Sequence, residues 1–453
     1  MRLLPLGLLG VSCATAPRAL GSAEPVIYMV MTDRFADGDV GNDGGVNRAE
    51  PGAYHGGDFR GLRGKLPYLA ELGVDLLWIS PVVDNIDHPV PSGRGFLHWG
   101  FHGYWAKDFE TTEEHFGSAA ELRALVDAAH AHGLGVLIDV VLNHPGYGSP
   151  FSARADWTRA PARGDCGSDE LTRCLSGLPD FRTERPEVAE YLVRVHANWA
   201  ARTGCDGFRV DAAKHVDHDV WRKLRQAVDR VRPGFRLLGE VWGASAVTTF
   251  GDPWLRAGEM DLLFDFSFSD QAFDFVSGAQ DARRLDQYLQ ARAARTGRYV
   301  HYLDTHDVPG FLARVGGDKA KMKLAAALEL TVPGLPLIYY GDEVARPTGD
   351  WPQNRTDMPW GAAQDRDLYD HYRRLLAARR HFWGPLEPLH VEGARYGFRR
   401  GPAVVLLNAG PNEWVAILPA SGRFRDAVSG ARAERSFRVA AGQAAVLLPA
   451  EVN

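Results

Sequence analysis

The chain has no excess of positive charge, no zinc-like cysteine spacing and no internal repeat. Its 453 residues carry 51 Lys and Arg against 57 Asp and Glu, for a net charge of −6. Proteins that bind nucleic acid usually carry a basic footprint, so this balance gives no support to a nucleic-acid partner. A hydrophobic fraction of 45% supports a full core, and the length allows one large domain plus a small one.

The N-terminal segment, residues 1–23, has the features of an export signal. Arg2 precedes an apolar run from Leu3 to Val11 that is too short to span a membrane as a mature anchor. Two processing routes fit the sequence. Cys13 resembles the lipidated residue of a bacterial lipoprotein, whereas cleavage after Ala23 would release a soluble protein. Both routes predict an exported protein, either secreted or held as a periplasmic or outer-surface lipoprotein.

The remaining cysteines can be placed by their surroundings. Export permits disulfide bonds. Cys166 and Cys174 bracket a polar, loop-like segment, and we predict a local bridge between them. Cys205 enters an apolar strand, which predicts a buried free thiol.

One short stretch, Gly207 to His215, concentrates candidate chemistry. Phe208 and Val210 belong to an apolar run that is too short for a helix, so we predict a buried strand. Side chains two apart on a strand share a face, which brings Arg209 and Asp211 together. A neighbouring Arg favours the ionised carboxylate, which suits a nucleophile. A structural ion pair at a strand end explains the same pattern, and these residues alone leave both readings open.

Strand-like and helix-like segments alternate along most of the chain. Strands are predicted at Val26–Met31, Leu76–Ile79, Val136–Val141, around Phe208, and at Phe235–Glu240, Leu262–Asp265, Val300–Asp304 and Leu337–Gly341. Helices are predicted at Leu62–Leu72, Ala119–His132, Pro186–Arg202, Asp219–Val231, Asp281–Ala294, Ala320–Leu330 and Arg366–Arg379. This alternation indicates an α/β fold, a (β/α)₈ TIM barrel, whose catalytic residues stand at the carboxyl ends of the strands.

The same pattern divides the chain into four parts. After the signal segment 1–23, the catalytic barrel covers 24–144 and 182–382. An insertion after strand three, domain B, covers 145–181 and is rich in Gly, Ser, Arg and Asp. Period-two apolar runs then predict a small C-terminal antiparallel β-sandwich domain over 383–453.

Polar side chains fall where the predicted strands end, and a barrel would gather them at one mouth. A retaining glycosidase uses two carboxyl groups about 5–5.5 Å apart, one as nucleophile and one as acid/base. Asp211 fits the nucleophile. Glu240 leaves an apolar strand, where burial raises the pKa of a carboxyl group, and fits the acid. Asp307 is a third carboxylate, and no paired His-and-acid spacing indicates a catalytic metal.

Several short segments, taken in order, resemble the α-amylase superfamily, glycoside hydrolase family 13. They are Asp139–His144, Leu178–Asp180, Gly207–His215, Gly239–Trp242 and His306–Asp307, with Trp78–Pro81 and Tyr339–Glu343 in addition. Each segment alone is weak, but the ordered set is specific and extends over nearly the whole mature chain. The motifs are most similar to bacterial α-amylases and cyclodextrin glucanotransferase-like enzymes.

The resemblance implies a role for individual residues. Asp211 would be the nucleophile, Glu240 the general acid/base, and Asp307 the residue that binds hydroxyl groups of the distorted sugar. The implied substrate contacts are His144, Arg209 and His306 on the same ring, His102 nearby, Tyr104 stacked beneath it, and Lys214 and Trp242 on the acceptor side. Trp242 fits barrel packing as well.

The resemblance also implies Ca²⁺. A structural calcium between barrel and insertion would use the side chains of Asn143, Asp180 and His215, together with an unassigned backbone carbonyl. A second site would use an early acidic loop, with Asp37, Asp39, Asn42, Asp43, Gly56 and Asp58 as its residues. An ordinary Asp/Asn/Gly-rich turn region has the same composition. Apart from His215, both sets offer the oxygen ligands that Ca²⁺ prefers.

Two departures from the family pattern concern the substrate cleft. Thr305 stands where the family usually has Asn before the His-Asp pair. Trp351 interrupts the common Asp-Pro-x-Asn-Arg run, which leaves the remote donor-side contacts open.

These observations predict an exported, calcium-stabilised retaining glycoside hydrolase, acting as a monomer. Its substrate would be an α-glucan polysaccharide or maltooligosaccharide, cleaved at internal α-1,4 bonds through a covalent glucosyl-enzyme. A transglycosylase would use the same residues, and sequence does not separate water from a sugar as acceptor. A non-catalytic glucan-binding lipoprotein is a third alternative, although such proteins typically lack the carboxylates found here.

Overall fold

A computed structural model describes residues 24–256, 258–419 and 422–450. The predicted export signal, with Cys13 and Ala23, lies outside these residues. Within the described ranges, no helix has both the length and the apolar character needed to cross a membrane.

Eight parallel strands close into a barrel. They are β1 (Ile27–Val30), β2 (Leu76–Ile79), β3 (Gly135–Val141), β4 (Gly207–Asp211), β5 (Arg236–Gly239), β6 (Leu262–Phe264), β7 (Tyr299–Tyr302) and β8 (Leu335–Tyr339). Each strand pairs with its sequence neighbour, and β8 pairs back with β1. The predicted barrel is confirmed.

The strands are apolar except for a few polar residues, such as Asp139, Arg209 and Asp211, because both of their faces are covered. All seven residues of β3 are buried, as are the first four of β4. Continuous Val, Ile and Leu runs are typical of parallel sheets packed between side chains and helices. The register of the strands places two charged site residues side by side, since Arg209 on β4 lies opposite Asp139 on β3.

Helices surround the barrel. The longer ones are Leu66–Leu72, Ala119–Ala131, Pro186–Thr203, His218–Val231, Phe268–Ser277, Ala282–Arg292, Lys319–Thr331 and Arg366–Arg379, and the shorter ones are Thr32–Phe35, Phe59–Gly64, Asp252–Arg256 and Phe311–Arg314. The prediction of a single helix from Leu62 to Leu72 is wrong, because the chain forms two helices there. Two helices meet at Lys65, and Pro67 opens the second, where the missing N–H of proline costs nothing.

The insertion after β3 is made of short pieces. They are Thr158–Arg159 paired with Asp180–Phe181, and the 3₁₀ turns Pro150–Ala153, Pro161–Arg163 and Leu175–Gly177. The predicted Cys166–Cys174 disulfide is present. Cys205 is a buried free thiol, as predicted.

The loop after β2 carries two further antiparallel pairs above the barrel mouth. Val83–Asn85 pairs with Ala106–Thr112, and Val90–Pro91 pairs with Leu97–His98. The second pair, with its turn, is called the 90–98 hairpin below.

An antiparallel domain follows the barrel. Its strands are β9 (Glu387–Glu392), β10 (Arg395–Arg400), β11 (Ala403–Asn408), β12 (Trp414–Ile417), β13 (Phe424–Asp426), β14 (Arg432–Ala433), β15 (Ser436–Val439) and β16 (Gln443–Pro449). Six form a sheet in the order β9-β10-β11-β16-β13-β14, and β12 pairs with β15. Glu24 fastens this domain to the barrel by ion pairs to Arg379 at 3.1 Å and Arg400 at 2.9 Å.

Candidate active site

The buried guanidinium of Arg209 is the centre of a carboxylate cluster at the barrel mouth. Its Nη1 donates to Asp211 Oδ1 at 2.7 Å, and its Nη2 lies 3.0 Å from Glu240 Oε1. Nη1 also donates to Asp139 Oδ1 at 3.1 Å. One cation is therefore shared by three carboxyl groups. A single guanidinium that bridges Asp211 and Glu240 is compatible with the roughly 5–5.5 Å separation used by retaining glycosidases.

Burial raises the pKa of both members of the proposed catalytic pair. The pKa of Asp211 rises to about 7, first through desolvation and then through the charge of Glu240, although Arg209 opposes both. Burial likewise raises the pKa of Glu240 against the pull of Arg209. Because the two carboxyl groups interact, they titrate as a pair. Arg209 therefore favours the ionised form of Asp211, as expected, but the burial of the site is the larger effect.

A backbone hydrogen bond holds Glu240 against the end of β4. The Ala212 N–H donates to Glu240 Oε2 at 2.9 Å. Ala212 follows Asp211 with a φ of +47°, which a residue with a Cβ seldom adopts. Such strain is characteristic of functional sites, where the surrounding structure fixes one conformation.

Asp307 stands on the other side of the cluster in an ionised state. Burial alone would raise its pKa, but His306, Arg355 and Arg209 together lower it below the ordinary value. Arg355 Nη2 lies 3.2 Å from Asp307 Oδ1, and His306 Nε2 lies 3.1 Å from Oδ2. Two anionic oxygens are thus available to sugar hydroxyl groups.

Tyr104 lies between His306 and the buried Asp139. Its hydroxyl donates to Asp139 Oδ2 at 2.7 Å and lies 2.8 Å from His306 Nε2. Its ring stacks on His306, with the ring centroids 5.4 Å apart and nearly parallel. A flat aromatic surface beside carboxylates suits a sugar ring.

The other two predicted histidines are buried and neutral. His102 Nδ1 accepts from the Tyr104 N–H at 3.0 Å, and burial lowers its pKa well below the ordinary range. Burial also lowers the pKa of His144 to about 4, and its ring contacts the Tyr104 backbone and the Asn143 amide. His102 and His144 therefore both contact the backbone of Tyr104 and help to fix its position.

The predicted acceptor-side residues face the opposite part of the mouth. Lys214 Nζ lies 3.6 Å from Glu170 of the insertion. The Trp242 side chain is 49% exposed, and its ring contacts Phe266 at 4.8 Å. An indole that keeps half of its surface open is available for stacking on a sugar.

Three oxygen-bearing groups converge where barrel and insertion meet. One terminal atom of the Asn143 amide lies 2.9 Å from the His215 carbonyl oxygen and 3.2 Å from Asp180 Oδ1. With its oxygen there, Asn143 completes an oxygen cradle that fits a cation; with its NH₂ there, it donates to both oxygens. The expected use of the His215 side chain is wrong, because its ring contacts Glu170 and only its carbonyl faces the cradle. Arg159 Nη1 holds the second oxygen of Asp180 at 2.9 Å.

The early acidic loop fits a cation in part. Asn42 Oδ1 and Asp43 Oδ1 are buried without a hydrogen-bond partner among the described residues. Burial and the charge of Asp37 raise the pKa of Asp43. At Gly56, which has a φ of +88°, a Cβ would come within 2.6 Å of Asp43 Oδ1, so glycine keeps this oxygen accessible.

Other predicted ligands in this loop are engaged elsewhere. Asp58 caps a helix: its oxygens accept from the N–H groups of Gly61 at 2.6 Å and of Asp39 at 2.8 Å. Asp37 pairs with Arg48 at 2.8 Å, and Asp39 with Arg60 at 2.8 Å. Asp58 is therefore better described as a structural cap than as a ligand.

Three site residues were not given a role from sequence. Asp139 joins Arg209, Tyr104 and the Trp78 indole, which donates to it at 3.1 Å. Arg355 and Arg159 each bind a carboxylate that lies far away in sequence. Asp139 and Arg355 fall inside family-like segments, which was the available signal, whereas nothing marked Arg159.

Family comparison identifies the same region of the chain. The model described as "Alpha amylase, catalytic domain" matches residues 29–163 and 169–374. These ranges include β2 to β8, the end of β1 and every residue of the carboxylate cluster.

Individual relatives are similar over most of the chain. A cyclomaltodextrinase from Geobacillus thermopakistaniensis is 31% identical over 386 residues, or 79% of this chain and 62% of that protein. The periplasmic α-amylase of Escherichia coli K12 is 31% identical over 74% of this chain and 63% of that protein. The chain thus spans less than two thirds of the length of these curated relatives. The crystal structure of an Anoxybacillus α-amylase superposes with a TM-score of 0.83 at 28% identity, covering 96% of this chain and all of that one.

Proposed function

The chain belongs to the α-amylase family of glycoside hydrolases, and on that basis we propose that it cleaves internal α-1,4-glucosidic bonds of starch and maltodextrins with retention of configuration. The observation that carries the proposal is the single guanidinium of Arg209, which joins Asp211 and Glu240 at the barrel mouth. That pairing supplies both carboxyl groups that a double displacement needs.

In the proposed first step, Asp211 attacks the anomeric carbon while Glu240 gives its proton to the leaving glycosidic oxygen. A C–O bond to Asp211 forms as the bond to the leaving sugar breaks. In the second step, Glu240 takes a proton from water, the water oxygen bonds to the anomeric carbon, and Asp211 is released. Water attacks the face opposite to the one used by Asp211, so the product keeps the α configuration.

Other side chains prepare the substrate for this chemistry. Asp307 accepts hydrogen bonds from two hydroxyl groups through its two ionised oxygens. Tyr104 lies beneath the ring, and Arg209 stabilises the Asp211 carboxylate when it leaves. These contacts act on the distorted sugar, where binding energy lowers the barrier rather than only the KM.

Maltoheptaose tests the proposal directly. Products are separated by chromatography, and their anomeric form is followed by NMR immediately after mixing. Shorter sugars that first appear as the α-anomer support a retaining hydrolase. First products in the β-anomer, or no cleavage of any α-1,4-glucan, would contradict the assignment.

A transglycosylase is the second candidate, because the half-exposed Trp242 offers an apolar platform for a sugar acceptor. A sugar hydroxyl would replace water in the second step. The same maltoheptaose reaction distinguishes the two, since transfer yields products longer than the substrate, or cyclic ones.

We also propose that Ca²⁺ binds between barrel and insertion, with Asn143, Asp180 and the His215 carbonyl as ligands. The convergence of the Asn143 amide, Asp180 Oδ1 and the His215 carbonyl oxygen supports this assignment, with the amide oxygen turned toward the ion. The ion would supply charge neutralisation and would cross-link two parts of the chain. A second Ca²⁺ in the early loop would use Asn42 and Asp43, whose buried Oδ1 atoms have no partner among the described residues. Asp37 and Asp39 would join them only by giving up their ion pairs with Arg48 and Arg60.

Export is part of the proposal. The N-terminal signal pattern supports it, and a relative named as periplasmic is consistent with it. Mass spectrometry of the mature protein decides the route: a lipid-modified Cys13 indicates an anchored protein, and an N-terminus at Glu24 indicates a secreted one. An unprocessed Met1 in the cell interior would contradict export.

A further inference from the structure

The 90–98 hairpin is fastened to Trp351 in the loop after β8. Phe96 and His98 contact the Trp351 ring, with centroid distances of 5.2 Å and 5.4 Å. The Arg94 guanidinium lies over the same ring at 5.2 Å, and its Nη1 donates to the Trp351 carbonyl oxygen. Arg94 also lies 3.5 Å from Asp350. The loops after β2 and β8 thus meet above the end of β1, the strand that lies between them.

The loop after β1 fills the space beneath this contact. The Trp99 N–H donates to the Gly52 carbonyl oxygen at 2.8 Å. A Cβ on Gly52 would lie 2.1 Å from the Leu97 carbonyl oxygen and 2.7 Å from the Phe96 ring, so only glycine permits this approach. Three loops therefore form one continuous structure, which we call the β1-side wall.

The wall is connected to the carboxylate cluster by a series of rings. The His98 ring lies 4.9 Å from His102, which stacks on Tyr104 at 5.6 Å. Arg355, four residues after Trp351, binds Asp307 at 3.2 Å. The β1-side wall therefore lies directly outside the part of the site that contains Tyr104 and Asp307.

The opposite side of the mouth is open. Lys214 and Trp242 follow β4 and β5, which lie across the barrel from β8, β1 and β2 in the strand order. The Trp242 and Phe250 side chains are each 49% exposed there. These exposed rings offer apolar surface to a glucan chain that leaves the site in this direction.

The roles of the carboxyl groups give the cleft a direction. Glu240 protonates the leaving oxygen, so the leaving part of the glucan passes the β5 side, where Trp242 lies. The sugar that bonds to Asp211 is held by Tyr104 and Asp307, and the units before it extend toward the β1-side wall. In an α-1,4 chain those units lead to the non-reducing end.

We infer that the β1-side wall, with Trp351 as its centre, limits how many glucose units bind on the non-reducing side of the cut. This inference rests on the proposed function and specifies which internal bond is cleaved. The link cut is then counted from the non-reducing end, and one short oligosaccharide dominates the products. Trp351 is a specificity-determining residue and takes no part in the chemistry.

Two substrate series test this inference. The first is maltohexaose to maltooctaose labelled at the reducing end, and the second is a p-nitrophenyl maltoheptaoside with and without a benzylidene group on its non-reducing end. The wild-type enzyme is expected to release the same unlabelled sugar from every chain length. The blocking group should slow cleavage by about tenfold or more, the scale on which a closed pocket rejects a larger ligand.

Trp351→Ala and Phe96→Ala open the wall in two independent ways. Either variant should spread the cut over several bonds and restore cleavage of the blocked substrate by about tenfold. Leu97→Ala is the matched control, because Leu97 is 56% exposed and points to the opposite face of the strand from Phe96 and His98. It should keep the wild-type products. Melting temperatures confirm that each variant is folded.

The outcomes separate this inference from the proposed function. If the wild-type enzyme cleaves blocked and free substrates equally, the β1-side wall does not limit binding on the non-reducing side. The proposal of a retaining hydrolase is unaffected by that result. An unchanged product pattern in both folded variants has the same meaning. Failure of the wild-type enzyme to cleave any of the substrates overturns the proposed function, and the role of the wall with it.

Discussion

The guanidinium of Arg209 donates to the Asp211 carboxylate at 2.7 Å from a fully buried position. The same group reaches Glu240 and Asp139, so three acidic side chains depend on one cation. In a buried site, the loss of a charge partner costs far more than it does at the surface. Arg209 therefore fixes the positions of Asp211 and Glu240 and opposes the rise in their pKa that burial causes.

Arg209→Lys should abolish most activity although charge is kept. A lysine ammonium is a point charge and cannot hold two carboxylates on a planar fork. We expect kcat/KM on maltoheptaose to fall by about 10²-fold or more, which is the scale of a lost preorganised contact. Arg123→Lys, at an exposed helix position, is the control and should be neutral. Near-wild-type kinetics in Arg209→Lys would show that bridging is dispensable.

Asp211→Asn removes the nucleophile and almost nothing else. The amide is nearly isosteric with the carboxylate, so the fold should persist. Loss of a buried negative charge next to Glu240 should leave the melting temperature unchanged or slightly higher. We expect kcat to fall by roughly 10³-fold or more, as when a covalent step is lost. Asp127→Asn, on an exposed helix face, serves as the control. A folded Asp211→Asn protein with normal turnover would remove Asp211 from the mechanism.

The pH–activity profile should be bell-shaped, with both limbs above the ordinary carboxyl range. Activity requires ionised Asp211 and protonated Glu240. Burial raises the pKa of Asp211 to about 7 and raises that of Glu240 as well. Activity is therefore lost toward acid as Asp211 gains its proton, and toward alkali as Glu240 loses its own. Plots of kcat/KM against pH measure the pair, and a flat profile down to pH 4 would contradict a buried, coupled pair.

Removal of calcium should lower the melting temperature. A ligand present at about 100 times its Kd stabilises the folded state by about 2.7 kcal/mol, which corresponds to a shift of several degrees. Chelation followed by calorimetry measures this shift, and added Ca²⁺ should reverse it while Mg²⁺ should not. Asp180→Asn should lower the affinity for Ca²⁺. Arg159→Lys, which keeps a cation beside Asp180, should bind Ca²⁺ more nearly like the wild type. An unchanged melt, with no metal found by elemental analysis, would exclude the ion.

Alkaline pH should destabilise the protein through a buried acid pair near β7 and β8. Asp304 and Asp342 share a hydrogen bond, and burial raises the pKa of both, with Glu329 adding negative charge and Arg346 opposing it. A raised folded-state pKa contributes stability below the unfolded value, and this stability is lost as pH rises through the folded one. Denaturant melts measure the free energy of unfolding at each pH. Its decrease toward alkaline pH should be smaller in Asp342→Asn, whereas the exposed Asp127→Asn should show the same decrease as the wild type. If the free energy of unfolding depends on pH identically in the two variants, the Asp304–Asp342 pair is not the cause of the decline.

The sequence by itself determined the barrel and singled out the residues proposed as its catalytic groups. Eight apolar runs alternate with amphipathic helices, and local periodicity encodes that pattern. Asp211 ends β4, Glu240 directly follows β5, and Asp307 lies in the loop after β7, so their convergence followed once the barrel was assigned. The Cys166–Cys174 bridge was equally local, because its two cysteines are separated by only eight positions in the sequence.

Tertiary structure decided what depends on contacts between distant segments. Arg209 was predicted to ionise Asp211, yet the burial that raises the pKa of Asp211 comes from the assembled barrel. The His215 ring turns to Glu170 of the insertion, and the Asp58 oxygens accept from backbone N–H groups of a helix and of the acidic loop. The wall that joins Phe96 to Trp351 brings together residues that are far apart in sequence. Periodicity and motifs report neighbours along the chain, whereas desolvation and loop contacts arise only when the chain folds.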